Sequence, residues 1–236
     1  MTTSTSIDPK LDRLKDAPWL PQAMTEVIVL GGAGGIGSWT ALLLSRLDTN
    51  LLIYDHDTVE RHNMGGQLYG TGDIGLSKVI ALKERLIDLS GLSEEEHHKI
   101  NPIPEKFLAN GINAKIMIAA FDNMEGRKTM LKVWSKVKEF PKLFIDGRLR
   151  AEYFEVFFID SEEKIKRYIS EDLFDDSEAD DGPCTFKSTS HCSAMIASVI
   201  VNGFIAFLSN TYLEDCRILP YKVQGLLPMF ELKTYD

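Results

Sequence analysis

Short apolar runs alternate with amphipathic stretches along most of this chain, a pattern typical of strands that alternate with helices in an α/β domain. The apolar runs are rich in branched residues, which indicates strands buried on both faces of a parallel sheet. Five such runs lie at residues 27–30, 51–54, 100–103, 115–120 and 143–147. Apolar positions recur at helical spacing in three intervening stretches, at residues 36–47, 79–89 and 124–139.

The C-terminal half follows a different pattern. Residues 153–159 are aromatic and β-branched with partial alternation, which predicts an antiparallel strand added at the sheet edge. Residues 188–210 are apolar on most faces and predict a helix buried in the core or in a subunit interface. Their longest apolar stretch, residues 194–208, is too short and too mixed to predict a membrane span. Two further short strands are expected at residues 216–221 and 229–234.

The pattern predicts one domain over residues 21–236, preceded by an N-terminal arm over residues 1–20. The arm consists of a polar tail and a short helix at residues 11–15, which Pro18 and Pro21 would end before the first strand. Residues 161–187 are strongly acidic, and we predict a mobile, solvated loop there.

Composition and charge narrow the classes of partner. A net charge of −9 argues against general binding to nucleic acid or to anionic membranes. The N-terminus is polar and lacks the apolar run of a secretory signal, so we expect a cytoplasmic protein. The three cysteines, Cys184, Cys192 and Cys216, form no C-x-x-C pair, so we expect neither structural zinc nor a disulfide framework.

A glycine-rich turn follows the first predicted strand and opens the first predicted helix. Gly32, Gly34 and Gly37 form G-x-G-x-x-G, in which the first glycine allows the turn, the second admits a ligand and the third lets helix pack on strand. About 20 residues later the second strand ends in Asp55, where a Rossmann-type site keeps its ribose-binding carboxylate. The arrangement predicts a nucleotide site on a Rossmann-like, doubly wound, mostly parallel sheet with antiparallel edge strands toward the C-terminus. The alternative is an ordinary glycine-rich turn.

Further motifs follow Asp55 in a fixed order. The chain has D-x-D-x-V-x-x-x-N, then a glutamine, then G-x-x-K at the start of a helix, and later a strand that ends in Asp-Asn. Together these motifs resemble the ThiF/MoeB/HesA family of ubiquitin-activating-enzyme-like adenylyltransferases, over residues 27–123 and weakly onward to residues 153–159. The residues that carry the resemblance are Asp55, Asp57, Asn63, Gln67, Lys78 and Asp122.

The resemblance implies an enzyme that uses ATP and Mg²⁺ to adenylate the C-terminal carboxylate of a ubiquitin-like or sulfur-carrier protein, or of a peptide. It implies that backbone N–H groups from Gly34, Gly35 and Gly37 hold phosphate, that Asp55 binds ribose, and that Asp122 binds Mg²⁺. Lys78 and Asn63 would hold the phosphates, with Asp57 and Gln67 in the same nucleotide site. It also implies a homodimer, and an acidic segment at residues 161–187 that crosses over the substrate C-terminus.

Some of these residues also have simpler interpretations. Lys78 could be a surface lysine, Asp122 a helix N-cap and Asp57 a residue that closes a turn. Cys184, in a Pro-Cys-Thr sequence similar to the thioester site of ubiquitin-activating enzymes, is either a nucleophile or a small loop residue.

One departure from the family pattern bears on activity. The family usually has an arginine directly before the glutamine, where this chain has Gly66. Arg13, Arg61, Arg148 or Arg150 could supply that charge. The departure keeps open a catalytically degenerate nucleotide-binding or assembly protein of the same fold, and the glycine motif with Asp55 alone would also suit an NAD-dependent oxidoreductase.

Overall fold

The computed structural model describes residues 8–108, 112–178, 189–213 and 216–236. Eight strands within these residues are β1 to β8, at Val27–Gly31, Asn50–Tyr54, Ile100–Ile103, Ile116–Ala119, Leu143–Arg150, Tyr153–Ile159, Lys222–Leu226 and Glu231–Tyr235. Six α-helices are α1 to α6, at Leu20–Thr25, Gly35–Ser45, Lys78–Ser90, Met124–Ser135, Glu162–Arg167 and Ser190–Tyr212.

All eight strands belong to one sheet in the order β3-β2-β1-β4-β5-β6-β7-β8. The first five pair in parallel, and β5 to β8 pair antiparallel. This order confirms the predicted doubly wound, mostly parallel sheet. The strand order reverses between β1 and β4, and ligands bind such sheets outside the carboxyl ends of the strands at this point.

Alternate side chains of β1 enter two hydrophobic layers, one on each face of the sheet. Ile28 and Leu30 belong to a cluster that includes Phe204 of α6. Val29 belongs to the opposite cluster, which includes Trp134 of α4. Helices α2, α3 and α6 therefore cover one face, while α4 and α5 cover the other.

Helix α6 has 23 residues, the same length as the predicted range 188–210, but it begins and ends two residues later in the chain. It is long and apolar enough to cross a membrane. Within the fold, 67% of its most apolar window is buried. It packs on α2, β5 and β6. The helix was predicted to be buried either in the core or in a subunit interface. In the described structure it is buried in the core.

Four predictions about individual elements are wrong. Strand β6 is an interior strand, because β7 and β8 continue the sheet beyond it, and the first C-terminal strand begins at Lys222 rather than at residue 216. Pro21 does not end a helix but lies in the first turn of α1, where its missing N–H has no helical acceptor to lose. Residues 9–11 form a short 3₁₀-helix in which Leu11 is buried.

The prediction of a loop in the acidic segment is also wrong, since residues 162–178 are largely helical. Helix α5 is followed by a π-helical turn at Tyr168–Asp172 and a 3₁₀ turn at Asp176–Glu178. Ile165 and Tyr168 are buried beneath the acidic residues and fix the segment to the sheet. Residues 179–188, with Cys184, lie outside the described residues.

Candidate functional site

The glycine-rich turn connects β1 to α2 at the carboxyl edge of the sheet. Gly32 has φ +97°, and a side chain there would meet the Ala120 carbonyl oxygen at 2.5 Å. A side chain at Gly37 would meet the Gly32 carbonyl oxygen at 1.8 Å. Both positions therefore require glycine for the turn and for close packing of the helix.

Gly34 differs, because a side chain added there would meet no atom within 4 Å. It is the N-cap of α2, and Gly35 is the first helical residue. The first N–H groups of a helix have no partner within the helix, and its N-terminus carries a partial positive charge. The open space at Gly34 and these N–H groups form a cradle suited to phosphate.

Asp55 follows β2 directly and lies against this turn. One of its carboxylate oxygens accepts a hydrogen bond from the Ala33 N–H at 2.7 Å, and the other accepts from the Asp57 N–H at 2.9 Å. The carboxylate is only partly buried. An acid at this place can orient the turn and still accept from a ligand hydroxyl.

Lys78 begins α3 and points its ammonium at Asp57. The Nζ–Oδ2 distance is 2.9 Å, and the Lys78 backbone N–H donates to the Asp57 carbonyl at 2.9 Å. Only 9% of the Lys78 side chain is exposed, against 51% for Asp57. The hydrogen bond from Lys78 lowers the pKa of Asp57 against the effect of burial, with smaller contributions from the charges of Lys78, His56 and Lys106. Lys78 is therefore not a surface lysine.

Asn63 and Gln67 belong to the segment that follows. The Asn63 side chain is buried and accepts from the Glu60 N–H at 2.7 Å, which caps the 3₁₀-helix Arg61–Gly65. The Gln67 N–H donates to the Asn63 carbonyl at 3.0 Å. The Gln67 side-chain oxygen is buried, with no hydrogen-bond partner in the described part of the chain. The phosphate contacts predicted for Asn63 and Gln67 stay predictions.

Asp122 lies just after β4, at the same edge of the sheet. It is exposed, and its carboxylate accepts from the Asn123 amide at 3.0 Å. Asn123, not Asp122, caps α4, because its side-chain oxygen accepts from the Gly126 N–H at 2.8 Å. The alternative of Asp122 as the helix N-cap is therefore wrong.

Residues 22–227 match the ThiF family. The chain belongs to this family. The match spans both the motif-bearing strands and the antiparallel C-terminal part of the sheet.

Curated relatives of this ThiF-family chain include ubiquitin-like modifier-activating enzyme 5 of Mus musculus, 31% identical over 116 residues, which cover 44% of this chain and 29% of that protein. The same-named protein of Branchiostoma floridae is 39% identical over 75 residues, covering 31% and 18%. The chain spans less than a third of the length of these relatives.

Solved structures share the ThiF-family fold. Escherichia coli MccB with ATP has a TM-score of 0.64 at 14% identity, covering 92% of this chain and 66% of that one. The E. coli tRNA N6-threonylcarbamoyladenosine dehydratase TcdA has a TM-score of 0.62 at 15% identity, covering 85% and 92%.

Arg148 does not supply the charge of the arginine that the family usually has where this chain has Gly66. The Arg148 guanidinium donates to buried Asp146 at 2.7 Å and to the Asp172 carbonyl at 2.9 Å, and it lies 4.5 Å from the Phe157 ring centroid. Such a network holds the guanidinium on the α5 side of the sheet. Arg61 is exposed on the 3₁₀-helix next to Asn63.

Sequence reasoning missed the residues that fix the segment between Asn63 and Lys78. The Trp39 indole N–H donates to the Gly66 carbonyl at 3.1 Å, and the Ser38 hydroxyl accepts from the Leu68 N–H at 3.1 Å. The Tyr69 hydroxyl donates to the Ala33 carbonyl at 2.7 Å. None of them belongs to a motif, and their partners are distant in sequence.

Proposed function

We propose that this protein is an ATP-dependent adenylyltransferase that activates the C-terminal carboxylate of a ubiquitin-like or sulfur-carrier protein, or of a peptide. The observation that carries the proposal is the buried Lys78 ammonium at the same sheet edge as the open Gly34 cradle and Asp55. The relatives add support, because one is named for activating ubiquitin-like modifiers and MccB has been solved with ATP and with MccA.

The reaction joins a carboxylate oxygen to the α-phosphorus and breaks the bond from that phosphorus to the pyrophosphate leaving group. Both reactants are anions, so the site must supply positive charge where negative charge accumulates. An ammonium has three donors, and Asp57 occupies one of those of Lys78. The others remain available to phosphate oxygens, as do the first N–H groups of α2.

Mg²⁺ fits the oxygen donors at this edge. Asp122 offers an exposed carboxylate, and Mg²⁺ commonly takes one or two carboxylates together with substrate phosphates. When bound, it would neutralise phosphate charge. Asp55 would accept from the ribose hydroxyls, since its partly buried carboxylate already lies beside the turn.

Pyrophosphate–ATP exchange, measured with candidate carrier proteins and C-terminal peptides, tests the proposal. We expect Lys78→Ala and Asp122→Ala each to lower exchange by about 100-fold or more, the scale of losing one preorganised charge contact. Lys83→Ala and Asp88→Ala, both on α3 away from the site, serve as controls that keep wild-type exchange. Exchange that persists unchanged without Lys78 and Asp122 would contradict the assignment.

A non-catalytic nucleotide-binding protein is the second candidate. Gly66 favours it, because the chain places no arginine side chain at this buried position and Trp39 holds its carbonyl. Calorimetry distinguishes the two. Tight ATP binding that NAD does not displace, with no exchange for any carboxylate partner, would favour the binder.

We also propose a cytoplasmic homodimer that binds neither nucleic acid nor membrane. The charge of −9 supports the absence of polyanionic partners. Sedimentation velocity at micromolar concentration tests the dimer, and a single monomer boundary would contradict it.

A further inference from the structure

Tyr69 lies between the two elements that would hold phosphate. Its hydroxyl oxygen is 2.7 Å from the Ala33 carbonyl oxygen and 3.3 Å from the Lys78 carbonyl oxygen. Ala33 directly precedes Gly34, and Lys78 is the first residue of α3. One side chain thus joins the glycine-rich turn to the helix that carries the ammonium.

The peptide groups on both sides of Ala33 are held by side chains. The N–H of Ala33 donates to Asp55 at 2.7 Å, while its carbonyl accepts from Tyr69 at 2.7 Å. Ala33 is fully buried. The orientation of the next N–H groups, at Gly34 and Gly35, therefore depends on these two contacts.

Tyr69 itself is well fixed. The residue is 9% exposed and packs in the cluster on the α2 and α3 face of the sheet. Gly66 and Leu68, which precede Tyr69, are hydrogen-bonded to Trp39 and Ser38 near the start of α2. Burial, and then the charges of Asp55, Asp73 and Asp57, raise the pKa of Tyr69 far above its usual value, so the hydroxyl remains a donor.

We infer that Tyr69 is a positioning residue, which sets the glycine-rich turn and the Lys78 ammonium at the separation that a nucleoside triphosphate requires. The inference deepens the proposed function and rests on it. Tyr69 acts through Ala33 and Lys78, and its effect is on the phosphate part of the ligand rather than on the nucleoside.

The test compares Tyr69→Phe with the unsubstituted protein by calorimetry, using ATP and adenosine. The variant keeps the buried ring and loses the hydroxyl. We expect ATP to bind about 5- to 10-fold more weakly, the equivalent of one hydrogen bond, while adenosine affinity stays the same. Tyr221→Phe is the matched control, because it also removes the hydroxyl of a buried tyrosine, one that donates to Asp172 away from the turn. It should bind ATP normally.

The outcomes separate the inference from the proposed function. If the unsubstituted protein binds no ATP, the proposed function fails first. If it binds ATP and Tyr69→Phe binds ATP equally well, or loses ATP and adenosine affinity alike, the positioning role is overturned.

Hydrogen exchange on the unsubstituted protein keeps the inference testable if Tyr69→Phe does not fold. ATP should slow amide exchange at residues 66–70 together with residues 33–37 and the start of α3. Protection of residues 33–37 with no change at residues 66–70 would overturn the coupling.

Discussion

Lys78 is a buried cation whose charge is balanced by a half-exposed carboxylate. Removing an ammonium from water is costly unless an opposite charge and hydrogen bonds replace the solvent. The Asp57 carboxylate supplies both, because it accepts a hydrogen bond from the Lys78 ammonium at 2.9 Å, and the Asp57 carbonyl also accepts from the Lys78 backbone N–H. The same contact lowers the pKa of Asp57, so the charge state of this acid is linked to the stability of the fold.

Asp57→Asn tests this linkage. Because the pKa of Asp57 is lower in the folded protein than its ordinary value of 3.8, its stabilising effect is present above pH 3.8 and is lost as the pH falls through the folded value. We expect the variant to melt at a lower temperature near pH 7, with the difference shrinking below about pH 4. Thermal unfolding between pH 3 and pH 8 measures it, and a constant difference over that range would contradict the linkage.

Residues within short motifs were predictable, since their spacing is read directly from the chain. The three motif glycines and Asp55 lie at the predicted turn, and Lys78 begins a helix as expected. Tyr69 was not predictable, because its contact with Ala33 spans 36 residues. No local pattern separates such a tyrosine from an ordinary core residue.

At the scale of elements, the turn from β1 to α2 divides its glycines into two kinds. Gly32 and Gly37 leave no room for a side chain, because backbone atoms lie within 2.5 Å of where it would be. Gly34 faces open space. One motif therefore contains two glycines that the fold requires and a third, Gly34, that the fold does not require but the proposed phosphate site would.

Alanine substitutions separate these roles. Gly37→Ala should destabilise the protein by about 3 kcal/mol or more, because backbone must move to admit the methyl group. Gly34→Ala should leave stability within about 1 kcal/mol but weaken ATP binding at least about tenfold, because the methyl group would occupy the phosphate cradle. Urea unfolding and calorimetry measure the two effects. Equal destabilisation by both substitutions would argue against the division.

The strands of the parallel sheet were predictable, since each is a short apolar run of the kind that burial on both faces requires. The acidic segment was not, because its composition conceals two anchors, Ile165 and Tyr168, that the sheet buries. The position of β7 was also missed. Strands were predicted at residues 216–221 and 229–234, but Gly225, between those two ranges, lies inside β7, where a side chain would collide with the Phe154 ring at 2.2 Å.

On the scale of the whole molecule, the strands in the middle of the sheet differ in exposure from the last strand, β8. The central strands are buried, whereas all five residues of β8 are exposed. The preceding turn exposes Met229 by 69% and Phe230 by 97%, with Phe230 in a left-handed conformation at φ +52°. An exposed edge strand with adjacent apolar side chains favours self-association.

Phe230→Asn should relieve the left-handed backbone strain at this position and remove the exposed ring, since asparagine tolerates left-handed backbone and presents no apolar ring. We expect the variant to be more stable by up to about 1 kcal/mol and to scatter less light on heating. Met229→Asn is the control, because Met229 is exposed without a positive φ. It should reduce scattering without any gain in stability. A loss of stability in Phe230→Asn would show that the ring makes contacts of its own.

The contact between Gly32 and Gly37 constrains how this protein can vary. The Gly32 carbonyl oxygen occupies the space that any side chain at Gly37 would need, 1.8 Å from its first carbon. No amino acid is smaller than glycine, so neither position can compensate for a change at the other. A lineage that loses either glycine therefore cannot restore the close packing of α2 on the turn by a second substitution within the pair.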